Sequence, residues 1–267
     1  MKRVLPFIVF LLLSCTSTGQ DFINAQPVGG KQQLNYFINQ ELIYPAIMYS
    51  NHIEGIVSFH VTIDAKGHPS EIRDVLSPHP TALLEAIRIF KLIEWEPATL
   101  RSVPTIDTRL FEMEFNIKKY NRLCKQRGYN SIVNPYEPVD TSGKIFWYRS
   151  LDAVPYPVFL EKKENLANFI AFNLKYPEAA IKQNVTGVVK LSFVVETNGK
   201  ISNLTIINSI GAGCNEEAIR VLRLLKWMPG IHDQHAVRTR TSFTVNFNLD
   251  REKNGLFNPV VKSSYGG

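Results

Sequence analysis

An internal repeat is the feature that most constrains what this chain can fold into. The stretch YPAIMYSNHIEGIVSF at residues 44–59 returns as YPEAAIKQNVTGVVKLSF at residues 176–193. The offset is 132 positions, except that the closing Phe of the second stretch lies two residues later and Leu191 stands opposite Phe59. One register does not persist over such a length by chance, so the 267 residues predict two copies of one domain. The offset joins Leu34 to Leu166, Phe37 to Phe169, Gly55 to Gly187, Gly67 to Gly199, Ala86 to Ala218, Arg88 to Arg220, Trp95 to Trp227, Pro97 to Pro229 and Phe115 to Phe247.

Each half predicts the same order of elements, namely helix, strand, strand, helix and strand. Leu34, Phe37 and Ile38 recur at helical spacing, and residues 57–63 alternate between apolar and polar side chains as a half-buried strand does. The sequences DAKG and TNGK then predict tight turns, because glycine and asparagine tolerate a positive φ. A second helix is predicted to end at Trp-x-Pro, with Asn215 as its N-terminal cap in the second half. RLFEMEF and TSFTVNF predict the last strands.

These patterns predict an α+β fold of two tandem copies, each with a three-stranded antiparallel sheet and helices packed on one face. Because each copy holds a complete set of elements, we expect each to fold on its own. The predicted divisions are an export signal at 1–15, a tether at 16–25, a first domain at 26–118, a linker with some local order at 119–155, a second domain at 156–249 and a tail at 250–267.

The first fifteen residues, MKRVLPFIVFLLLSC, are typical of an export signal. Lys2 and Arg3 precede an apolar run that is too short to span a bilayer, which needs about 20 helical residues. The ending LLSC resembles a bacterial lipobox and predicts lipidation of Cys15, with ordinary cleavage after Gly19 as the alternative. Loss of Lys2 and Arg3 leaves 28 basic and 24 acidic residues, so the formal charge falls from +6 to +4. We do not expect a nucleic-acid partner at that mild charge.

The sequence does not predict an enzyme, a cofactor or a metal site. No Ser/His/Asp or Cys/His set stands at a usable spacing, and the histidines of the first half have no counterpart in the second. Cys124 and Cys214 either pair with each other in an oxidising compartment or remain separate thiols.

Several separated motifs resemble the C-terminal domain of TonB-family proteins. They are Tyr-Pro, then IEGIV or VTGVV, then the turn, the Ala-Ile-Arg helix and its Trp-x-Pro end, and they recur in order in both halves. The lead-in QPVGG at residues 26–30 is similar to that of many members from the Bacteroidetes. The resemblance implies a cell-envelope protein of a Gram-negative bacterium, exported to the periplasm and, with Cys15, lipid-anchored to a membrane.

In that family, the domain binds an extended peptide of an outer-membrane transporter as an extra strand beside its last strand. The resemblance therefore implies a non-enzymatic, TonB-like peptide-binding protein that is accessory to TonB-dependent transport. Its expected partners are an outer-membrane TonB-dependent transporter or another envelope protein. The implied peptide-binding residues are Arg109, Leu110, Phe111, Glu112 and Met113 in the first copy, and Thr241, Ser242, Phe243, Thr244, Val245 and Asn246 in the second. The second copy is the better candidate, because TSFTVNF alternates apolar side chains with polar ones that would face outward.

Two departures from the family keep a second function open. The chain has neither the membrane-spanning N-terminal helix nor the long proline-rich spacer of a TonB transducer, and Glu161 stands where the register places Gly29. The alternative is a structural or scaffolding envelope lipoprotein, which uses contacts between its domains or with peptidoglycan and binds no transporter. Pairing of the two last strands with each other would favour that alternative.

Overall fold

The computed structural model describes residues 21–159 and 165–249. The first half contains β1 (Phe22–Ile23), β2 (Gln26–Pro27), α1 (Gly30–Glu41), α2 (Ala46–Ser50), β3 (Gly55–Ile63), β4 (Pro69–Leu76), α3 (Pro80–Phe90), β5 (Trp95–Glu96), β6 (Ala98–Leu100), β7 (Val103–Thr105), β8 (Asp107–Phe115) and α4 (Ile117–Arg127). The following segment contains β9 (Ile145–Trp147), a 3-10 turn (Tyr148–Ser150) and β10 (Tyr156–Val158). The second half contains α5 (Leu166–Asn173), α6 (Glu178–Lys182), β11 (Gly187–Val195), β12 (Ile201–Asn208), α7 (Cys214–Leu224), β13 (Lys226–Met228), β14 (Gly230–His232) and β15 (His235–Phe247). The predicted mixture of α and β structure is confirmed.

The halves place corresponding strands at the offset of the sequence repeat. Strand β3 begins at Gly55 and β11 at Gly187, while β4 begins at Pro69 and β12 at Ile201. The glycine of each tight turn passes the backbone of a tryptophan: a Cβ on Gly67 would lie 2.1 Å from the Trp95 carbonyl oxygen, and one on Gly199 would lie 2.2 Å from that of Trp227. This close approach leaves no room for a side chain at either position. Both glycines also have a positive φ, which other residues rarely adopt.

The first core lies between one sheet and its helices. The sheet is antiparallel in the order β4, β3, β8, and Gly55 pairs with Phe115 at one end. The alternation in β3 turns one set of side chains inward, where they pack with Phe37 of α1 and Phe90 of α3. That set consists of Val57, Phe59, Val61 and Ile63, all fully buried.

The second core has the same central strands and two additional ones. Strand β11 pairs with β12 on one side and with β15 on the other. The hairpin partner β14 and the linker strand β9 also pair with β15, so this sheet has five strands where the sequence predicted three. The turn residues Asp233 and Gln234 both have a positive φ, which suits a two-residue hairpin.

Two local predictions about the helices were wrong. Asn215 does not cap α7, because the helix begins one residue earlier at Cys214 after Gly213 in the left-handed region; the Asn215 Oδ1 instead accepts from the Ile210 N–H at 3.3 Å. The helices also end before the Trp-x-Pro motifs, at Phe90 and Leu224. The motif tryptophans instead begin or occupy β5 and β13, which pair with β2 and β10.

The two cysteines of the described region are separate free thiols. Cys124 is half-buried on α4, and Cys214 is buried in the second core. Burial, with the charges of Glu216 and Glu217, raises the pKa of the Cys214 thiol to about 11. This environment makes Cys214 an unreactive core residue.

The predicted linker contacts both halves, because α4 at its start packs on the first core and its later residues pair with the second sheet. Residues 117–127 form α4, and Pro138 then accepts from the Ala236 N–H at 2.8 Å. Strand β9 adds in parallel to residues 238–240, and Ala153 accepts from the Ile231 N–H at 2.8 Å. The segment thus supplies main-chain partners to a large part of the second sheet.

Helix α1 of the first half packs on β12 of the second. Asn203 sits in β12 with a φ of 49°, and its amide accepts from the Glu94 N–H at 2.8 Å and donates to the Leu92 carbonyl at 2.9 Å. Gly29 approaches β12 so closely that a Cβ would lie 1.9 Å from the Leu204 carbonyl oxygen. The Gly-Gly lead-in of the first half therefore permits contact between the two cores.

Buried charges complete this contact. The Asn198 amide donates to the fully buried carboxylate of Glu41 at 2.7 Å, and Arg88 donates to the same carboxylate at 3.0 Å. Burial raises the pKa of Glu41, while the hydrogen bond from Asn198 and the charge of Arg88 oppose that rise. The Arg223 guanidinium lies 3.6 Å from the centre of the Tyr36 ring and adds a cation–π contact.

Candidate functional site

Strand β8 brings together the five candidate residues of the first half. It pairs with β3 along all nine of its residues, and no strand of the described residues pairs with its other side. Phe111 and Met113 point into the core, whereas Leu110 and Glu112 are exposed. The outer edge therefore presents main-chain groups on a strand that its own core holds in place.

A groove of about 330 Å³ lies beside this edge. Glu112 and Met113 project to opposite faces of the sheet yet line the same groove, which is possible because the groove follows the open edge of the strand. Ile38 of α1, with Tyr120 and Leu123 of α4, supplies apolar walls. An added strand would find both main-chain partners and an apolar pocket here.

The main-chain groups that face this groove follow from the alternation of the ladder. The Ser70 hydroxyl donates to the Thr62 carbonyl at 3.2 Å, so that carbonyl points toward β4 and away from β8. In an antiparallel pair, the neighbouring residue of β3 then bonds to β8, which places Arg109 in a hydrogen-bonded pair with Val61. Alternation along β8 leaves the N–H groups of Leu110, Glu112 and Glu114 on the outer side.

Helix α4 positions the groove through Tyr120. This side chain is buried, and its hydroxyl donates to the Asn130 carbonyl at 3.0 Å. Burial, followed by its interaction with Cys124, raises the pKa of Tyr120. An ion pair between Lys119 and Glu114 joins the first turn of α4 to β8.

Strand β15 brings together the six candidate residues of the second half. Phe243 and Val245 point into the core, while Thr244 and Asn246 are half-buried. The Val188 carbonyl accepts from the Asn208 amide of β12 and therefore points away from β15. By the same alternation, the N–H groups of Thr244 and Asn246 lie on the outer side of β15.

The edge of β15 is already occupied along part of its length. Strand β9 pairs with Arg238, Thr239 and Arg240, immediately before the candidate residues at 241–246. Strand β9 could not be predicted from the sequence, because three residues are too short for a periodic signal. The groove at β8 was missed as well, since its walls come from α1 and α4, which are distant in sequence.

The two last strands do not pair with each other. Strand β8 belongs to the sheet with β3 and β4, and β15 belongs to the sheet with β11 and β12. The arrangement that would have consumed both edges is therefore absent from the described residues. The described residues also contain no group of three His, Cys, Asp or Glu side chains that could hold a metal ion.

The comparisons with known proteins concern the second half. Residues 173–249 match the family model described as Gram-negative bacterial TonB protein C-terminal. No curated protein matches the chain. The matched segment runs from the end of α5 to the end of β15 and supports a TonB-like envelope protein.

The predicted export signal and Cys15 lie outside the described residues. Among the helices of residues 21–159 and 165–249, none is long and apolar enough to cross a membrane.

Proposed function

We propose that this chain carries two tandem TonB C-terminal-like domains and binds extended peptides of outer-membrane transporters by strand addition. The protein would be a non-enzymatic accessory to TonB-dependent transport in the periplasm. The open edge of β8 beside its groove is the observation that carries this proposal. Main-chain hydrogen bonds would supply affinity, and the groove would select an apolar side chain.

The first edge is the better candidate of the two. All nine residues of β8 lie beside an outer side that no described strand covers, whereas β9 already pairs with residues 238–240 of β15. The groove wall from α1 and α4 adds apolar surface at β8. We assign the sequence-predicted site in β15 the role of a second, shorter edge.

A proline at position 112 tests the proposal. Glu112→Pro removes an outward N–H and should weaken binding of transporter N-terminal peptides about tenfold or more, because a ladder donor is lost and the ring obstructs pairing. The measurement is titration of such peptides into the chain from residue 16, followed by NMR. Thr244→Pro makes the equivalent change in β15 and should have a smaller effect.

The matched control is Glu112→Ala, which removes the side chain but keeps the N–H. It should bind within about twofold of the unchanged chain, since the main chain carries the affinity. Circular dichroism should show native-like secondary structure for both variants. Equal loss in the alanine and proline variants, or no binding of any transporter peptide at millimolar concentration, would reject strand addition at β8.

Lipidation of Cys15 remains part of the proposal. The ending LLSC of the export signal motivates it, and a multiply acylated N-terminus would hold the protein firmly to a membrane. We expect Cys15→Ser to move the protein from the membrane fraction to the soluble fraction. Mass spectrometry that finds an unmodified mature N-terminus at Gln20 would contradict lipidation.

The contact between the two cores favours a second candidate function. A scaffolding lipoprotein would need its domains fixed relative to each other, and Asn203 and Gly29 provide such a contact. In this case peptidoglycan or another envelope component would be the partner. Failure of the peptide titration would leave this candidate.

A further inference from the structure

A second groove lies on the other side of α4. It has a volume of about 660 Å³, and its lining includes His52, Glu54, Ile117, Lys118, Arg122 and Lys125. The three basic side chains stand at positions i, i+4 and i+7 of the helix, so they form one row on one face. All three are exposed, and none forms an ion pair or side-chain hydrogen bond with a described residue.

The other basic side chains of α4 have structural partners. Lys119 pairs with Glu114, and the Arg127 guanidinium donates to the carbonyls of Asn39 and Leu42, both at 2.8 Å. The helix thus divides its charges into a set that fixes the fold and a row that faces the groove. A row of exposed like charges without partners raises the local positive potential, which an anionic ligand would relieve.

The acidic residue of the groove is also accounted for. Glu54 accepts from the Ile117 N–H at 2.7 Å and so holds the first turn of α4. The groove lining therefore contains one carboxylate and three cationic side chains, which gives it a net positive charge. That single carboxylate opposes a doubly charged phosphate more than it opposes a carboxylate ligand.

We propose that this groove binds an acidic segment of an extended partner peptide. The rise along the helix separates Lys118 from Arg122 by about 6 Å and Arg122 from Lys125 by about 4.5 Å. Carboxylates on alternate residues of an extended chain are about 6.8 Å apart, a spacing that long lysine and arginine side chains can match. Ile117 and the aliphatic stems would cover the peptide backbone.

The position of the groove favours a peptide over a lipid surface. The Ala25 N–H donates to Asp107 at 2.9 Å, so the chain enters the domain beside the start of β8. The groove adjoins Ile117, beyond the other end of that strand. Nine strand residues separate these ends by about 30 Å, so the groove does not adjoin the point where the chain enters the domain.

The test uses the synthetic hexapeptide Asp-Ser-Asp-Ser-Asp-Ser and its Asn-Ser counterpart, with the chain from residue 16. We expect the acidic peptide to shift NMR signals of α4 and the asparagine peptide not to. The triple variant Lys118→Gln, Arg122→Gln and Lys125→Gln should weaken binding at least tenfold. A matched triple variant at the exposed residues Lys31, Lys66 and Lys91 removes the same charge elsewhere and should stay within about twofold.

Three results would overturn the inference. Equal losses in the two triple variants would mean attraction by net charge alone. Unchanged binding in the groove variant would place the peptide elsewhere. Stronger binding of inorganic phosphate or of phosphatidylglycerol vesicles at the same signals would indicate a phosphate or lipid site. Strand addition would shift NMR signals of β8, whereas binding in the groove shifts those of α4, so this experiment and the proline test fail independently. Thermal melting of both triple variants verifies folding.

Discussion

Arg238→Ala should lower the free energy of unfolding by about 3–5 kcal/mol, because it leaves a buried carboxylate without its charged partner. Arg238 is 4% exposed and Glu196 is 2% exposed, and the guanidinium donates to that carboxylate at 2.7 Å and 3.0 Å. Burial alone would lower the pKa of Arg238. The charge of Glu196 and its hydrogen bond outweigh that effect, so the pKa of Arg238 lies above its ordinary value. Chemical denaturation measures the loss.

The same guanidinium also connects three parts of the chain. It donates to the Leu92 carbonyl of the first core at 2.7 Å and to the Gly143 carbonyl of the linker at 2.8 Å. We therefore expect Arg238→Ala to raise hydrogen exchange on both sides of the contact between the cores. Exchange that rises in the second core alone would show that Arg238 does not stabilise this contact.

Two further variants show whether Arg238→Ala lowers stability because a buried charge is left unpaired or because contacts are lost. The double change Arg238→Met with Glu196→Met should recover much of the stability, because no unpaired charge remains buried. Lys182→Ala breaks an exposed pair with Glu178 at 3.8 Å and should change stability by less than about 1 kcal/mol. If the double variant were less stable than Arg238→Ala, an unpaired Glu196 would not be the cause of the stability loss in Arg238→Ala.

The core strands could be predicted from the sequence, because their pattern repeats locally. Alternation alone placed Val57 and Phe59 on the buried face of β3, and the offset placed Val189 and Leu191 on that of β11. Trp95 and Trp227, which the offset joins, are likewise both buried. These inferences needed only periodicity and a turn between two strands.

The contact between the cores could not be predicted, because its residues carry no periodic signal. In the sequence, Asn203 is indistinguishable from an ordinary polar strand residue. Only the fold places its amide against Leu92 and Glu94. The Gly-Gly lead-in occurs only in the first half of the sequence. Glycine is needed there because the Leu204 backbone, 175 positions after Gly29, lies too close for a side chain. The docked linker was missed for a related reason, since β9 has three residues and gains its partners only from β15.

The strands of the candidate site could be predicted from the sequence, but not which of their edges is open. RLFEMEF and TSFTVNF specify which side chains enter the core, so the strands themselves followed from sequence. Which edge remains open depends on where β9 and α4 lie, and both fall almost wholly within residues 119–155, for which the sequence predicted a linker with some local order. The preference for β8 over β15 therefore comes from tertiary structure.

Trp227→Ala should destabilise the second core by about 3–5 kcal/mol, the usual cost of deleting a large buried aromatic side chain. Trp227 is 5% exposed and packs edge-on against Phe193, with ring centres 5.3 Å apart. Trp147 is 62% exposed, so Trp147→Ala is the matched control and should change stability by less than about 0.5 kcal/mol.

Hydrogen exchange followed by mass spectrometry can localise the effect of Trp227→Ala, since β3 and β11 report on the two cores separately. We expect β11 to lose protection by the full destabilisation, because its buried side chains pack in the same cluster as Trp227. Strand β3 should lose less, because its cluster is separate and depends on the second core only through contacts such as that of Asn203. Equal loss in β3 and β11 would mean that the contact makes both cores one cooperative unit, and independent folding of each copy would then be wrong.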